Sequence, residues 1–265
     1  MPTGIDHVII LVDDLDHGIE QYRKLGFTVT PGGKHPRFTH NALVTFADGS
    51  YLELIAFHEH PTSTDPGESH RWFKHVGQGG GIIDYALATP NLDELVADAD
   101  TRDFTHGAAT PGARKRTDDV EIAWKSAMAK DDPNVGALPF LIEDVTDREL
   151  RVPSESSTHE NTVRGVRSLV IAVQNLDAAI ARYCKLLDRE SPSGEGLPNL
   201  EDADGVYFMV GPHRIDLATP TGDGPLADHL KSRGDSTYEL SLLARETVDI
   251  TPSAAGNARL RFVAG

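Results

Sequence analysis

The chain opens on an almost unbroken apolar run, Ile5-Asp6-His7-Val8-Ile9-Ile10-Leu11-Val12, rich in β-branched residues, which predicts a strand. Asp13-Asp14-Leu15-Asp16 follows, with side chains suited to start a helix. Ile19, Tyr22 and Leu25 then recur at helical spacing until Gly26 ends the pattern. Three more apolar segments, at 27–29, 42–46 and 51–57, predict three strands. The last two are joined through Asp48-Gly49, a hairpin signal. Residues 5–57 thus read as one β-α-β-β-β unit.

The same phrase returns three times. Residues 82–88 lead into Pro90-Asn91-Leu92-Asp93, and residues 166–173 lead into Gln174-Asn175-Leu176-Asp177. A fainter copy runs over 238–244 and reaches Val248-Asp249; it is short and reads as degenerate, with 258–263 as its last strand. The polar stretch 158–164 precedes the third copy, so the expected division is a first half at 1–152 and a second at 153–265. The segment 58–81, which includes Pro66 and the Gly77–Gly81 cluster, reads as a long loop of the kind that often carries function.

Composition narrows the functional classes. Lys and Arg number 25 against 41 Asp and Glu, giving a formal net charge of −16, which argues against nucleic-acid or anionic-membrane partners. The single cysteine, Cys184, excludes an internal disulfide framework and lies at helical spacing with Ile180 and Leu187, so it reads as core. No apolar stretch is long enough to span a membrane and the N-terminus has no secretory pattern, so the expected location is cytoplasmic. Gly77–Gly81 lacks the Lys-Ser/Thr of a phosphate loop.

Strand alternation supplies the candidate chemistry. If Val8, Ile10 and Val12 face the helix, His7, Ile9 and Leu11 face away. If Leu52, Leu54 and Ala56 face the helix, then Tyr51, Glu53 and Ile55 face away. His7 and Glu53 can therefore share the non-helix face of one sheet. A carboxylate inside an apolar strand is costly unless paired, hydrogen-bonded or bound to a metal.

The phrases GIDHVIILVDDLDHGIEQYRKLGFTVTPGG and THNALVTFADGSYLELIAF resemble the vicinal-oxygen-chelate superfamily, and within it the glyoxalase-like domain proteins. GGGIIDYALATPNLDEL and LPFLIE fit a second module of the same kind. The resemblance implies an α+β fold of tandem βαβββ modules paired into curved mixed sheets that enclose a cup, with two such pairs in the chain. It further implies one divalent metal ion (Mn, Fe, Ni, Zn or Mg) chelating vicinal oxygens of a small substrate, in a lyase, isomerase or dioxygenase. Carried over position by position, the metal slots fall on His7, Glu53, Asp84 and Glu143, with Glu143 or Glu53 as the proton-moving carboxylate. In the third copy the slots fall on Ser168 and Asp216, and in the fourth on Leu240, so the second half reads as structural or as a metal-free cup. His40 and Asn41, in the phrase THN, and Arg37, Tyr85, Arg116 and Trp124 are the substrate-contact candidates. The competing expectation is a metal-free protein that binds a small molecule or antibiotic in the same cup. The chain is expected to act as a monomer or homodimer.

Overall fold

The computed structural model describes residues 1–61, 70–130, 132–198 and 200–265. Pro66 of the long loop lies outside them. The first module is β1 (Gly4–Leu11), α1 (Leu15–Lys24), β2 (Thr30–Lys34), β3 (Thr39–Thr45) and β4 (Tyr51–Phe57). The second is β5 (Gly81–Ala88), α2 (Leu92–Asp100), β6 (Thr110–Lys115), β7 (Glu121–Ala127) and β8 (Phe140–Asp144), followed by a short helix α3 (Arg148–Arg151). The third is β9 (Gly165–Ala172), α4 (Leu176–Leu186), β10 (Gly194–Glu195), β11 (Ala203–Val210) and β12 (His213–Pro220). After α5 (Pro225–Arg233), the fourth retains only β13 (Ser236–Ala244), β14 (Val248–Ile250) and β15 (Leu260–Ala264).

The repeated apolar-Asp pair has a physical role. Asp14, Asn91 and Asn175 cap the N-termini of α1, α2 and α4 by accepting from a backbone N–H three residues on, each cap worth about 1 kcal/mol. The following Leu-Asp pair opens each helix and sets a carboxylate against its positive end. The fourth pair, Val248-Asp249, lies in β14, so no helix forms there. The first-module strand expected at 27–29 is displaced to Thr30–Lys34. Phe27 and Val29 instead anchor the core, while β2 joins the barrel through its backbone. At Gly33, with φ +132°, a Cβ would collide with the carbonyl oxygen of Lys115 on β6, so glycine permits the one residue pair, Lys34 with Lys115, that closes the seam.

The strands of the first two modules form a closed barrel in the order β1-β4-β3-β2-β6-β7-β8-β5. The other seven form an open sheet, β10-β11-β12-β9-β13-β15-β14. The predicted split of faces holds. Val8, Ile10, Leu52, Leu54 and Ala56 join one core continuous through both halves, whereas Ile9, Leu11 and Ile55 line the inside of the barrel. Cys184 packs at the edge of the shared core, half-buried. Imidazoles knit the halves together: Ile5 N–H donates to His213 Nδ1 at 2.8 Å, and Thr28 N–H to His159 Nδ1 at 3.0 Å. No helix among the described residues is long and apolar enough to cross a membrane.

Candidate functional site

The barrel encloses a cavity of about 270 Å³. Its floor is set by the central antiparallel pair of strands. In this pair Val8 faces Tyr85, with His7 opposite Ala86 and Ile9 opposite Asp84 on either side. The pattern has a local two-fold axis, which makes His7 equivalent to Asp84 and Ile9 equivalent to Ala86. Each slot residue follows an extra residue in its strand, Asp6 before His7 and Ile83 before Asp84. Such bulges re-aim side chains. Here Asp6, which simple alternation would send to the helix side, turns inward beside His7.

His7 is held from several directions. Its Nδ1 donates to Asp6 Oδ1 at 2.6 Å, its ring stacks on Tyr51 with centroids 4.7 Å apart, and Phe140 meets it edge-on at 5.4 Å. Asp6 is gripped by Arg151, whose two terminal nitrogens reach its two oxygens at 2.9 Å each, and by Arg148 at 2.5 Å. Burial pushes the Asp6 carboxyl up, but Arg151 and the His7 hydrogen bond outweigh it and hold the group well below the usual carboxylate range. An ionised Asp6 fixes the proton on Nδ1 and presents Nε2 to the cavity. Arg151, only 2% exposed, also binds Tyr51 Oη at 2.8 Å and Asp144.

Glu53 completes the floor. Its Oε2 lies 3.4 Å from His7 Nε2, and its Oε1 accepts from Asn41 Nδ2 at 2.6 Å. His35, braced by Thr39 at 2.8 Å, brings Nε2 to 3.8 Å from the same carboxylate. Burial raises the Glu53 carboxyl, yet His7, His35 and the Asn41 amide bring it below its ordinary value. Burial lowers the His35 imidazole, more than Glu53 restores it. The Oδ1 of Asn41, a residue 3% exposed, has no donor among the described residues.

The remaining candidates separate into those the fold gathers and those it sends elsewhere. Arg37 and Trp124 line the cavity with Asn41. Asp84 points inward but is fully buried beneath Trp72. It accepts from Trp72 Nε1 at 2.6 Å and pairs with Arg71 at 3.1 Å. Its carboxyl is raised by burial despite both partners. Glu143 is not at the site. Because Ile9 pairs with Glu53 and Ala86 with Phe140, the slot equivalent to Glu53 holds Phe140. Glu143 lies three residues on, on the opposite strand face, where Oε2 accepts from Leu92 N–H at 2.7 Å. Tyr85 likewise faces the core, hydroxyl to hydroxyl with Tyr183. Arg116 is bound at the surface to Asp118 and the Leu150 carbonyl. His40 turns away from the cavity and meets His58 edge-on.

The implied metal can be tested against these donors. His7 and Glu53 stand at a separation compatible with two ligands of one ion, since bonds of roughly 2.1 Å meeting at open angles leave donors about 3–3.4 Å apart. The other two slots do not fit. Asp84 is consumed by Arg71 and Trp72, and Phe140 offers no donor. No group of three or more His, Cys, Asp or Glu among the described residues is arranged to hold a metal ion.

In the second half, Ser168 faces Ser241 and Val170 faces Glu239 around the Leu169–Leu240 pair. The slots are therefore Ser168 and Glu239, with Asp216 and Arg261 from the partner strands. Leu240, the expected fourth-copy slot, faces the core instead, because the count was made from Val248-Asp249, which lies in β14 and not at the start of a helix; Glu239, preceded by the extra residue Tyr238, takes the slot.

Comparison with known proteins agrees with this architecture. The family described as "Glyoxalase-like domain" matches residues 5–187. A hypothetical protein from Staphylococcus aureus superposes with TM-score 0.74 at 14% identity, covering 98% of this chain and 99% of that one. A mutant of 4-hydroxymandelate synthase from Streptomyces coelicolor gives TM-score 0.61 at 13% identity, covering 96% and 73%. A xylose isomerase-like TIM barrel/4-hydroxyphenylpyruvate dioxygenase fusion protein gives 0.53 at 14%, covering 93% and 37%. At these identities the likeness is one of fold. Among curated proteins none matches. The family match spans more than half of the chain, covering both βαβββ modules of the barrel and running on through α4 of the third, so this chain belongs to the glyoxalase-like domain family, on the vicinal-oxygen-chelate fold.

Proposed function

We propose that the first-half cup is an enzyme active site that moves protons on a small oxygenated molecule, with Glu53 and His7 as the proton-transfer pair. The observation that carries this reading is the buried His7–Glu53 contact at the cavity floor, with Asp6 orienting the imidazole and Asn41 the carboxylate. Such orientation is what a general acid–base pair requires, and a passive binding cup has little use for it. Glu53, kept ionised, accepts a proton from a carbon or hydroxyl acid seated above it. His7 Nε2, 3.4 Å away, relays that proton or returns it to another face of the substrate. Asp6, held in place by Arg151, stabilises the imidazolium that forms through its bond to Nδ1. This is the chemistry of an isomerase or lyase. The chain supplies two free metal donors in place of the four its family resemblance implies, so no step is assigned to a metal.

The test is proton exchange in D2O. Small 2-hydroxy and 2-oxo acids and aldehydes are incubated with the protein, and loss of the α-proton signal is followed by NMR. Wild type exchanges at least one of them, and Glu53→Gln does not. Exchange that survives in Glu53→Gln removes the role given to the pair. No exchange by wild type leaves the cup as a small-molecule-binding site without catalysis. Metal content of protein purified without chelator is measured alongside, and stoichiometric metal lost in a His7→Ala/Glu53→Ala double variant would restore the metal-dependent reading.

A further inference from the structure

The chain carries a net charge of −16, yet the cavity wall has the opposite bias. Among the described residues lining it, Glu53 is the single acid, set against Arg37, Arg114 and Arg151. Arg151 is spent on Asp6 and Asp144. Arg114 is not spent in this way. It is 5% exposed, and its terminal nitrogens donate to the backbone carbonyls of Gly32 and, at 2.8 Å, Arg151. Among the described residues it makes no ion pair with a carboxylate. A buried guanidinium hydrogen-bonded to carbonyls alone has its charge only partly offset, here through space by Glu53, and an incoming anion relieves the remaining cost.

The walls give the shape of that anion. Gly112 on β6 has no Cβ, and one there would collide with the Trp124 indole, so the ring lies against the strand. Trp72 is locked by Asp84, and Tyr51 and Phe140 flank His7. Cavities of roughly 150 Å³ admit benzene, so about 270 Å³ admits one ring with a short acidic arm.

We infer that the cup selects a small organic carboxylate with a planar body, its charge met by Arg114, and its body held between aromatic walls. This deepens the proton-transfer reading, since it names the substrate class of the same site.

The chain's two tryptophans, Trp72 and Trp124, both line the cavity, so intrinsic fluorescence reports its occupancy directly. Benzoate, its neutral isostere benzamide and the non-planar cyclohexanecarboxylate are titrated against wild type and Arg114→Gln, with circular dichroism as the folding control. The expected result is quenching by benzoate with at least tenfold tighter binding than benzamide or cyclohexanecarboxylate in wild type, and loss of the benzoate-over-benzamide preference in Arg114→Gln. Equal binding of benzoate and benzamide by wild type overturns the inference, even if the variant fails to fold. So does a charge preference that survives in a folded Arg114→Gln, or binding without quenching. Benzoate selectivity without any α-proton exchange would overturn the catalytic reading and leave this one standing. Exchange on neutral aldehydes without anion preference would do the reverse.

Discussion

The two halves of the molecule are built on one plan and have different interiors. Four equivalent positions face inward from the central strands of each. In the first half they hold His7, Glu53, Asp84 and Phe140. In the second they hold Ser168, Asp216, Glu239 and Arg261. The first half closes into a barrel around a cavity. The second stays open, and α5 lays Leu226 and Leu230 across Val170, Ala172 and Ala218 on its inner face. Its ion pair, Arg214 with Asp216 at 2.5 Å, satisfies the acid locally. In the first half, by contrast, charges are chained from Arg151 through Asp6 to His7 and end at Glu53 in the cavity. The βαβββ frame does not itself make a site. A site arises where closure leaves a cavity and the inward slots carry groups held in place from outside the sheet.

The two halves should differ most at their acids. Glu53→Gln should lower α-proton exchange by about 10²–10⁴-fold while Asp216→Asn leaves it unchanged; equal losses would mean that both halves serve catalysis. Next in size, Arg151→Ala strands Asp6 without its buried partner and should cost about 3–5 kcal/mol in urea denaturation. Arg214→Ala, at the less buried pair, should cost about 1 kcal/mol or less. Phe140→His sharpens the account of the missing slot. It adds a donor beside His7 and Glu53, and a gain in melting temperature with Zn2+ or Ni2+, absent in wild type, should correspond to about 2.7 kcal/mol at a hundredfold excess over Kd.

The smallest effect separates the halves by pH. The Asp6 carboxyl is depressed, so its stabilisation is present above its unfolded value of 3.8 and is lost as pH falls through the lower folded value. Asp6→Asn should therefore flatten the acid limb of the stability curve. Glu239 runs the other way. Burial raises its carboxyl above the ordinary 4.5, despite Arg261 and Arg259. Its contribution is therefore favourable below that value and lost as pH rises through the folded one. Glu239→Gln should stabilise the protein at pH 7, with the gain vanishing near pH 4. Denaturation midpoints of both variants across pH 3–8 check the two signs.

The modules, their helix caps and the shared face of His7 and Glu53 are legible in the residues alone. Each of these follows from local chemistry: strand alternation, a capping side chain, a hairpin Asp-Gly. The count that placed Asp84 opposite His7 also holds, because both lie a fixed number of residues before a capped helix. The surroundings of those residues come from long-range packing. The last-strand slot fell on Phe140 and not Glu143, because the register of parallel strands is set by long-range packing and leaves no local mark. Asp84 was captured by Trp72, 12 residues before it, and by Arg71, both from the segment that leads into β5. Asp6 turned inward at a bulge that alternation does not foresee. Arg151, 145 residues further along the chain, became the group that holds it. Alternation fixes the face a side chain takes only where the strand is regular, and partners so remote in sequence come together only when the barrel closes.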